Sequence, residues 1–98
     1  MVVVISKLTV KPEKKQELLA AARELIAATR EEAGCISYSL LDDPFENDRC
    51  VFVEEWTDKG ALEQHFTTPH IAKWRQQSKE LLAAKSDLSV YQADKITM

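Results

Sequence analysis

Most of the side chains able to do chemistry in this 98-residue chain fall in one stretch, EEWTDKGALEQHFTTPH, residues 54–70. It carries both histidines, His65 and His70, one of the two tryptophans, Trp56, and the acidic pair Glu54-Glu55. An imidazole, with an unperturbed pKa near ~6.5, is the natural general base at neutral pH. Glu54 alternates with Phe52 and Trp56, so the three share one face of a strand while Glu55 points the other way. A carboxylate between large aromatics is not a solvated-face pattern. Buried there, it needs a partner such as Lys7, Arg49 or a histidine. In a pocket its pKa would rise, and it could share the work of a base. A structural ion pair satisfies the same pattern.

Other candidates have similarly divided readings. His65 lies beside apolar Leu62 and Phe66 and so points toward a sheet, as a core residue or a pocket residue. His70 falls in the first turn of a helix, where the positive dipole end disfavours imidazolium. Its Thr-Thr-Pro context is explained by capping as well as by chemistry. Five residues apart across a break, the two histidines can still converge. Tyr38, Trp56, Phe66 and Trp74 can line an aromatic pocket or simply pack a core. Ser6 is the only small polar residue on a strand face otherwise made of Val2, Val4, Leu8 and Val10, and it marks either room for a ligand or nothing. Two histidines and scattered carboxylates show no ligand spacing such as His-x-x-x-His, so no metal is expected.

These residues must be positioned by a simple series of elements. Val2 to Val10 is rich in β-branched residues and reads as a strand, apolar on both sides and therefore covered on both faces. Pro12 suits the first turn of a helix. Leu18, Ala22, Leu25, Ile26, Thr29 and Ala33 then form one helical stripe, with Gly34 as its left-handed terminator. Cys35 to Leu41 is a second strand with Ile36, Tyr38 and Leu40 on one face. Turn residues 42–48 lead into a third strand, Arg49 to Thr57. Paired residues of this hairpin sum to about 91, placing Cys35 opposite Trp56 and Cys50 opposite Leu41. Asp58 caps a short helix, Thr68-Pro69 begins another with Ile71, Trp74, Ser78, Leu81 and Leu82 as its stripe, and Ser86 to Ile96 is a last strand. The order β-α-β-β-α-α-β predicts one α+β domain over residues 1–98, with four antiparallel strands and helices on one face. The other face then needs a cover, and a second copy of the chain is the simplest one.

Composition narrows the function classes. With 45% hydrophobic residues, two Gly and three Pro, the chain is globular. A net charge of −3 without any Lys or Arg run argues against nucleic acid. No apolar run approaches the ~18 residues of a membrane span, and the N-terminus lacks a signal-peptide pattern, so a cytoplasmic protein is expected. Two cysteines, too far apart along the sheet to bridge, are expected to be small buried hydrophobes.

Glu32-Ala33-Gly34-Cys35, Tyr38, Glu54-Glu55-Trp56 and His65-Phe66-Thr67-Thr68-Pro69-His70 together resemble the antibiotic biosynthesis monooxygenase domain, in particular its stand-alone quinol monooxygenase type. The resemblance covers the chain from Val2 to the last strand. It implies a ferredoxin-like protomer, a dimeric α/β barrel whose C-terminal strand reaches the partner, and a pocket between the sheet and its own helices. It also implies oxidation of a small phenolic, quinol or polyketide-like substrate by dioxygen without a cofactor, with His65, Glu54 and His70 as catalytic candidates. Ser6, Tyr38, Trp56, Phe66 and Trp74 are then the substrate-binding candidates. Two alternatives are an isomerase of a small phosphorylated sugar derivative, its phosphate held by Arg49, Lys73 or Arg75, and a non-catalytic dimer binding an apolar ligand. Haem degradation is not expected, because Ser6 stands where that branch has Asn.

Overall fold

The computed structural model describes residues 1–98. Strands β1 (Val2–Thr9), β2 (Cys35–Asp42), β3 (Arg49–Trp56) and β4 (Asp87–Gln92) form one antiparallel sheet in the order β2-β3-β1-β4. Helices α1 (Lys15–Arg30), α2 (Lys59–His65) and α3 (Pro69–Lys79) lie on one face of it. This is the predicted β-α-β-β-α-α-β order, with four antiparallel strands and helices on one face, in the ferredoxin-like arrangement that the resemblance implies. No helix is long and apolar enough to cross a membrane.

The core sits between that face and the helices. Val2, Val4, Leu8 and Val10 of the first strand segment, Cys50, Phe52 and Trp56 of β3, and Leu18, Ala22 and Leu25 of α1 are all buried in one cluster. The period-two alternation in β1 and β3 puts every even-numbered residue from 50 to 56 inward, so Glu54 is buried with its aromatic neighbours. Both cysteines are free, Cys50 buried and Cys35 half-buried. On the opposite face Val3, Ile5, Val51 and Val53 are only partly shielded and Leu41 is exposed, so a single chain leaves that face uncovered.

Several local expectations need correction, each for an identifiable backbone reason. Pro12 does not open α1. Lys14 N–H bonds to the Lys11 carbonyl at 3.1 Å and Glu13 has φ 68°, so Lys11–Lys14 is a tight turn with Pro at its second position and a left-handed third residue. The helix begins after it and stops at Arg30, leaving Ala33 exposed outside the stripe. Gly34 is left-handed, φ 85°, but it serves a second turn in which Cys35 N–H bonds to the Glu32 carbonyl at 3.2 Å. The β2–β3 register is irregular between Cys35 and Ser37. Cys35 does face Trp56, but beyond the irregularity the register moves by one, so Cys50 faces Asp42 rather than Leu41 and Ile36 is turned out to solvent. The last strand is shorter than Ser86 to Ile96, with one further pair of bonds joining Met1 and Ala93.

The caps of the two short helices are as the residue types predict. Asp58 accepts from Ala61 N–H at 2.8 Å. Thr68 accepts from Ile71 N–H at 3.4 Å while its hydroxyl donates to the His65 carbonyl at 2.7 Å. That second bond ties the end of α2 to the start of α3 and fixes the spacing of the two histidines.

Gly34 is where α2 meets the α1–β2 turn. A Cβ there would lie 2.5 Å from Ala61 Cβ and 2.9 Å from Thr57 Oγ1, on a backbone already disfavoured for side chains. The G34A variant is expected to lose about 2–3 kcal/mol from backbone strain and overpacking. Thermal unfolding should show this as a melting temperature lower by roughly 10–20 °C for a domain of this size.

Candidate functional site

A cavity of about 480 Å³ opens between the sheet and α2, α3 and the segment leading to β4. Its floor is Ser6 and Leu8 from β1, Tyr38 from β2, and Phe52 and Glu54 from β3. His65 closes one end, and Phe66, Ile71 and Trp74 form the wall. At the rim stand Arg75, Lys79 and Lys85, all exposed cations. Of the residues singled out from sequence, Ser6, Tyr38, Glu54, His65, Phe66 and Trp74 line this space. Trp56 and His70 do not.

Trp56 has a different position from the one expected. It is wholly buried behind Glu54, two residues along the same strand face, and its indole N–H donates to Glu54 Oε1 at 3.0 Å. That bond is the partner Glu54 has within the chain. Lys7 projects from the opposite sheet face and is exposed, and Arg49 lies beside Asp48 at 3.9 Å, so neither reaches it. With one neutral donor and no cation, the carboxyl is poorly compensated. Burial pushes its pKa from the ordinary 4.5 up to about 7, the Trp56 bond draws it partly back, and the Glu32 charge adds to the rise. The hydroxyl of Tyr38, cross-strand neighbour of Glu54, is held neutral by burial and by the same two carboxylates.

The two histidines do converge, and on a residue that was not among the candidates. Glu32 Oε2 lies 2.7 Å from His65 Nδ1 and 2.7 Å from His70 Nε2. An ionised carboxylate only accepts, so each of these ring nitrogens carries its proton when the ring is neutral. His65 therefore keeps a bare Nε2, which makes no hydrogen bond within the chain. Burial lowers the pKa of His65 and the Glu32 bond opposes this, so the first effect prevails. The ring is packed by Trp56 at 4.8 Å, Tyr38 at 5.4 Å and Phe66 at 5.6 Å between centroids, and is 1% exposed. Glu32 occupies the first position of the turn made by Gly34, which packs against Ala61 in the first turn of α2, and its side chain reaches His65 at the other end of that helix. The sequence marks Glu32 only as the start of a Glu-x-Gly turn before a strand, and nothing in its spacing signals the contact with the histidines.

The buried carboxyl makes stability depend on pH. Glu54 holds its proton in the folded chain up to about pH 7 and loses it near 4.5 when unfolded. Stability is thus highest below 4.5 and falls as pH rises to about 7, by about 3 kcal/mol if the whole shift is expressed. His65, held below its ordinary 6.5, works the opposite way and adds stability as pH rises through that value. Comparing E54Q with the parent chain isolates the first effect. Urea unfolding from pH 4.5 to 8 is expected to show E54Q gaining stability relative to the parent with rising pH, most of it before pH 7.

Residues 1–77 match the family described as antibiotic biosynthesis monooxygenase. The chain is 38% identical over 90 residues to "Uncharacterized protein sll1783" of Synechocystis, covering 92% of this chain and 61% of that one. It thus spans less than two thirds of that relative's length. It is 35% identical over 88 residues to "Putative monooxygenase YcnE" of Bacillus subtilis, covering 90% and 93% of the two chains. Among solved structures, a conserved protein from Methanosarcina mazei superposes with TM-score 0.91 at 31% identity, over 95% of this chain and 92% of the other. Rv0793 from Mycobacterium tuberculosis superposes with TM-score 0.90 at 29% identity, over 99% and 98%. On the profile match and on these relatives, the chain belongs to the antibiotic biosynthesis monooxygenase family.

Proposed function

We propose that the protein is a cofactor-independent monooxygenase of a small phenolic or quinol substrate, with Glu54 as the base. The observation that carries this is a carboxyl group facing a cavity of about 480 Å³ with a pKa of about 7. A base of that strength matches a neutral working pH, where it is partly ionised yet still drives proton transfer. The aromatic wall of Tyr38, Phe52, Phe66 and Trp74 suits a flat ring, and the neutral Tyr38 hydroxyl and Ser6 are donors for an anion.

In this reading Glu54 removes a phenolic proton, and the electron-rich ring reduces dioxygen directly. A ring carbon bonds to one oxygen atom, and the distal oxygen takes the proton from Glu54 to give a hydroperoxide. Glu54 then accepts the ring C–H proton as the O–O bond breaks and a quinone carbonyl forms, and the departing hydroxide takes that proton from Glu54 to leave as water. One oxygen atom enters the product, the other leaves as water, and the substrate supplies all the electrons. His65, with Nε2 unprotonated, is a second acceptor at the same cavity and is positioned by Glu32. His70 acts through Glu32 rather than on the substrate.

The rim favours one alternative enough to keep it. Arg75, Lys79 and Lys85 border the cavity together, whereas Arg49 lies with Asp48 and Lys73 with Glu24, away from it. Three cations at one mouth suit a phosphorylated substrate, as an isomerase of a phosphorylated sugar derivative requires.

The working unit in this proposal is a dimer packed through the uncovered sheet face. Its centre is the row Ser39, Val53, Ile5 and Ser89, with Leu41 and Tyr91 at the edges. The residues after β4, including exposed Ile96 and Met98, are free to reach the partner.

Oxygen uptake with menadiol, set against its protein-free autoxidation, is expected to rise with pH through about 7. E54Q should lower the enzymatic part by about a hundredfold, the usual contribution of a positioned base. W56F removes the bond that lowers the Glu54 pKa, so its profile should move to higher pH. Uptake equal to the protein-free rate would discard the oxygenase reading. Light scattering should give a dimer for the parent chain and a monomer for V53E, which buries an unpaired charge at the centre of the proposed contact.

A further inference from the structure

The convergence of Glu32, His65 and His70 has a consequence independent of any activity. Their three donor atoms, one carboxylate oxygen and two imidazole nitrogens, all lie within 4.8 Å of one another. We propose that they form a binding site for a divalent transition-metal ion of borderline softness, of which Zn²⁺ and Co²⁺ are the natural probes. The donor set is that of two imidazoles and one carboxylate, which suits zinc and its neighbours and not calcium or magnesium.

The geometry supports the assignment on three counts. Both ring nitrogens are aimed at one carboxylate oxygen, so their lone pairs, once deprotonated, converge on the same point. The donors come from three separate elements, the α1–β2 turn, the end of α2 and the start of α3, each held by its own backbone bonds. The Thr68–His65 bond fixes the two histidine-bearing helices relative to each other, while Glu32 comes from the turn between α1 and β2, outside both of them. Side chains of Glu32 and His70 are 13% and 21% exposed, which leaves a path for the ion and a position for a water as fourth ligand.

Binding would rearrange protons without creating or losing any on neutral rings. The ion takes His65 Nδ1 and His70 Nε2, and each ring's proton moves to its other nitrogen. Neither Glu32 nor His70 borders the cavity, so the ion would lie behind the His65 ring. Nε2 of His65, a residue that lines the cavity, would then become a donor instead of an acceptor. In the metal-free chain the same atoms form the two hydrogen bonds described above, so the site serves as a brace in either state.

The test uses the full, tag-free chain and CoCl₂ or ZnCl₂ alone. Calorimetry is expected to give one ion per chain with a dissociation constant in the micromolar range or tighter, and Co²⁺ should show the intense visible absorption of a four-coordinate site. The isosteric E32Q and H70A, at a partly buried position, should each weaken binding by at least about tenfold, as loss of one ligand requires. The parent chain, and neither variant, should gain melting temperature with added Zn²⁺. No binding at about 100 μM metal, binding unchanged in both variants, or binding removed by C35S and not by H70A would each overturn the assignment. Circular dichroism of both variants establishes whether they are folded, and a variant that is not is replaced by H70Q, the smaller change at the less buried histidine.

Discussion

One carboxylate holds this molecule's working end together. Glu32 accepts from two imidazoles at 2.7 Å each and thereby joins the turn after α1 to both short helices. Without that joint, α2 and α3 would be held over the sheet mainly by apolar packing, which does not specify orientation. Charge-assisted hydrogen bonds do specify it, because they are directional and lose strength quickly when bent. The protonation state of His65 follows from it, since a carboxylate that can only accept dictates which ring nitrogen carries the hydrogen. Gly34 makes the joint possible, being the one residue type that can turn the chain there without striking Ala61.

Glu54 shows the complementary principle. Its carboxyl is buried with a single indole donor, and the result is a group undecided between its two charge states at neutral pH. A lysine or arginine in reach would have made it an ordinary ion pair with a low pKa and no capacity for proton transfer. Its isolation from cations is what leaves it able to change charge near neutral pH. The chain carries the stability cost of that isolation in a core of modest size. The two acids therefore divide the site: Glu32 is well satisfied and organises, while Glu54 is poorly satisfied and can react.

Family membership sets the frame for these side chains without assigning them. The fold places a cavity between the sheet and its own helices, and a shared fold does not by itself assign the chemistry of such a cavity. In this chain the contents are an aromatic wall, two donors, a near-neutral carboxyl and a rim of three cations. That combination is what the substrate class proposed above rests on.

Much of this could be read from sequence because it depends on local periodicity and local chemistry. The strands, the helices and their order follow from apolar spacing, and the caps at Asp58 and Thr68 from residue type. The inward direction of Glu54 follows from its place between Phe52 and Trp56. The turn at Pro12, the bulge beside Ile36 and the one-residue change in hairpin register were not legible, since turn type and bulges depend on backbone dihedrals that several sequences satisfy equally. Trp56 reads as a pocket residue until the structure shows its indole spent on Glu54. The pairing of Glu32 with both histidines was decided by tertiary structure alone. It joins positions 33 and 38 residues apart, and no spacing rule connects residues brought together only by the closing of a turn against a helix.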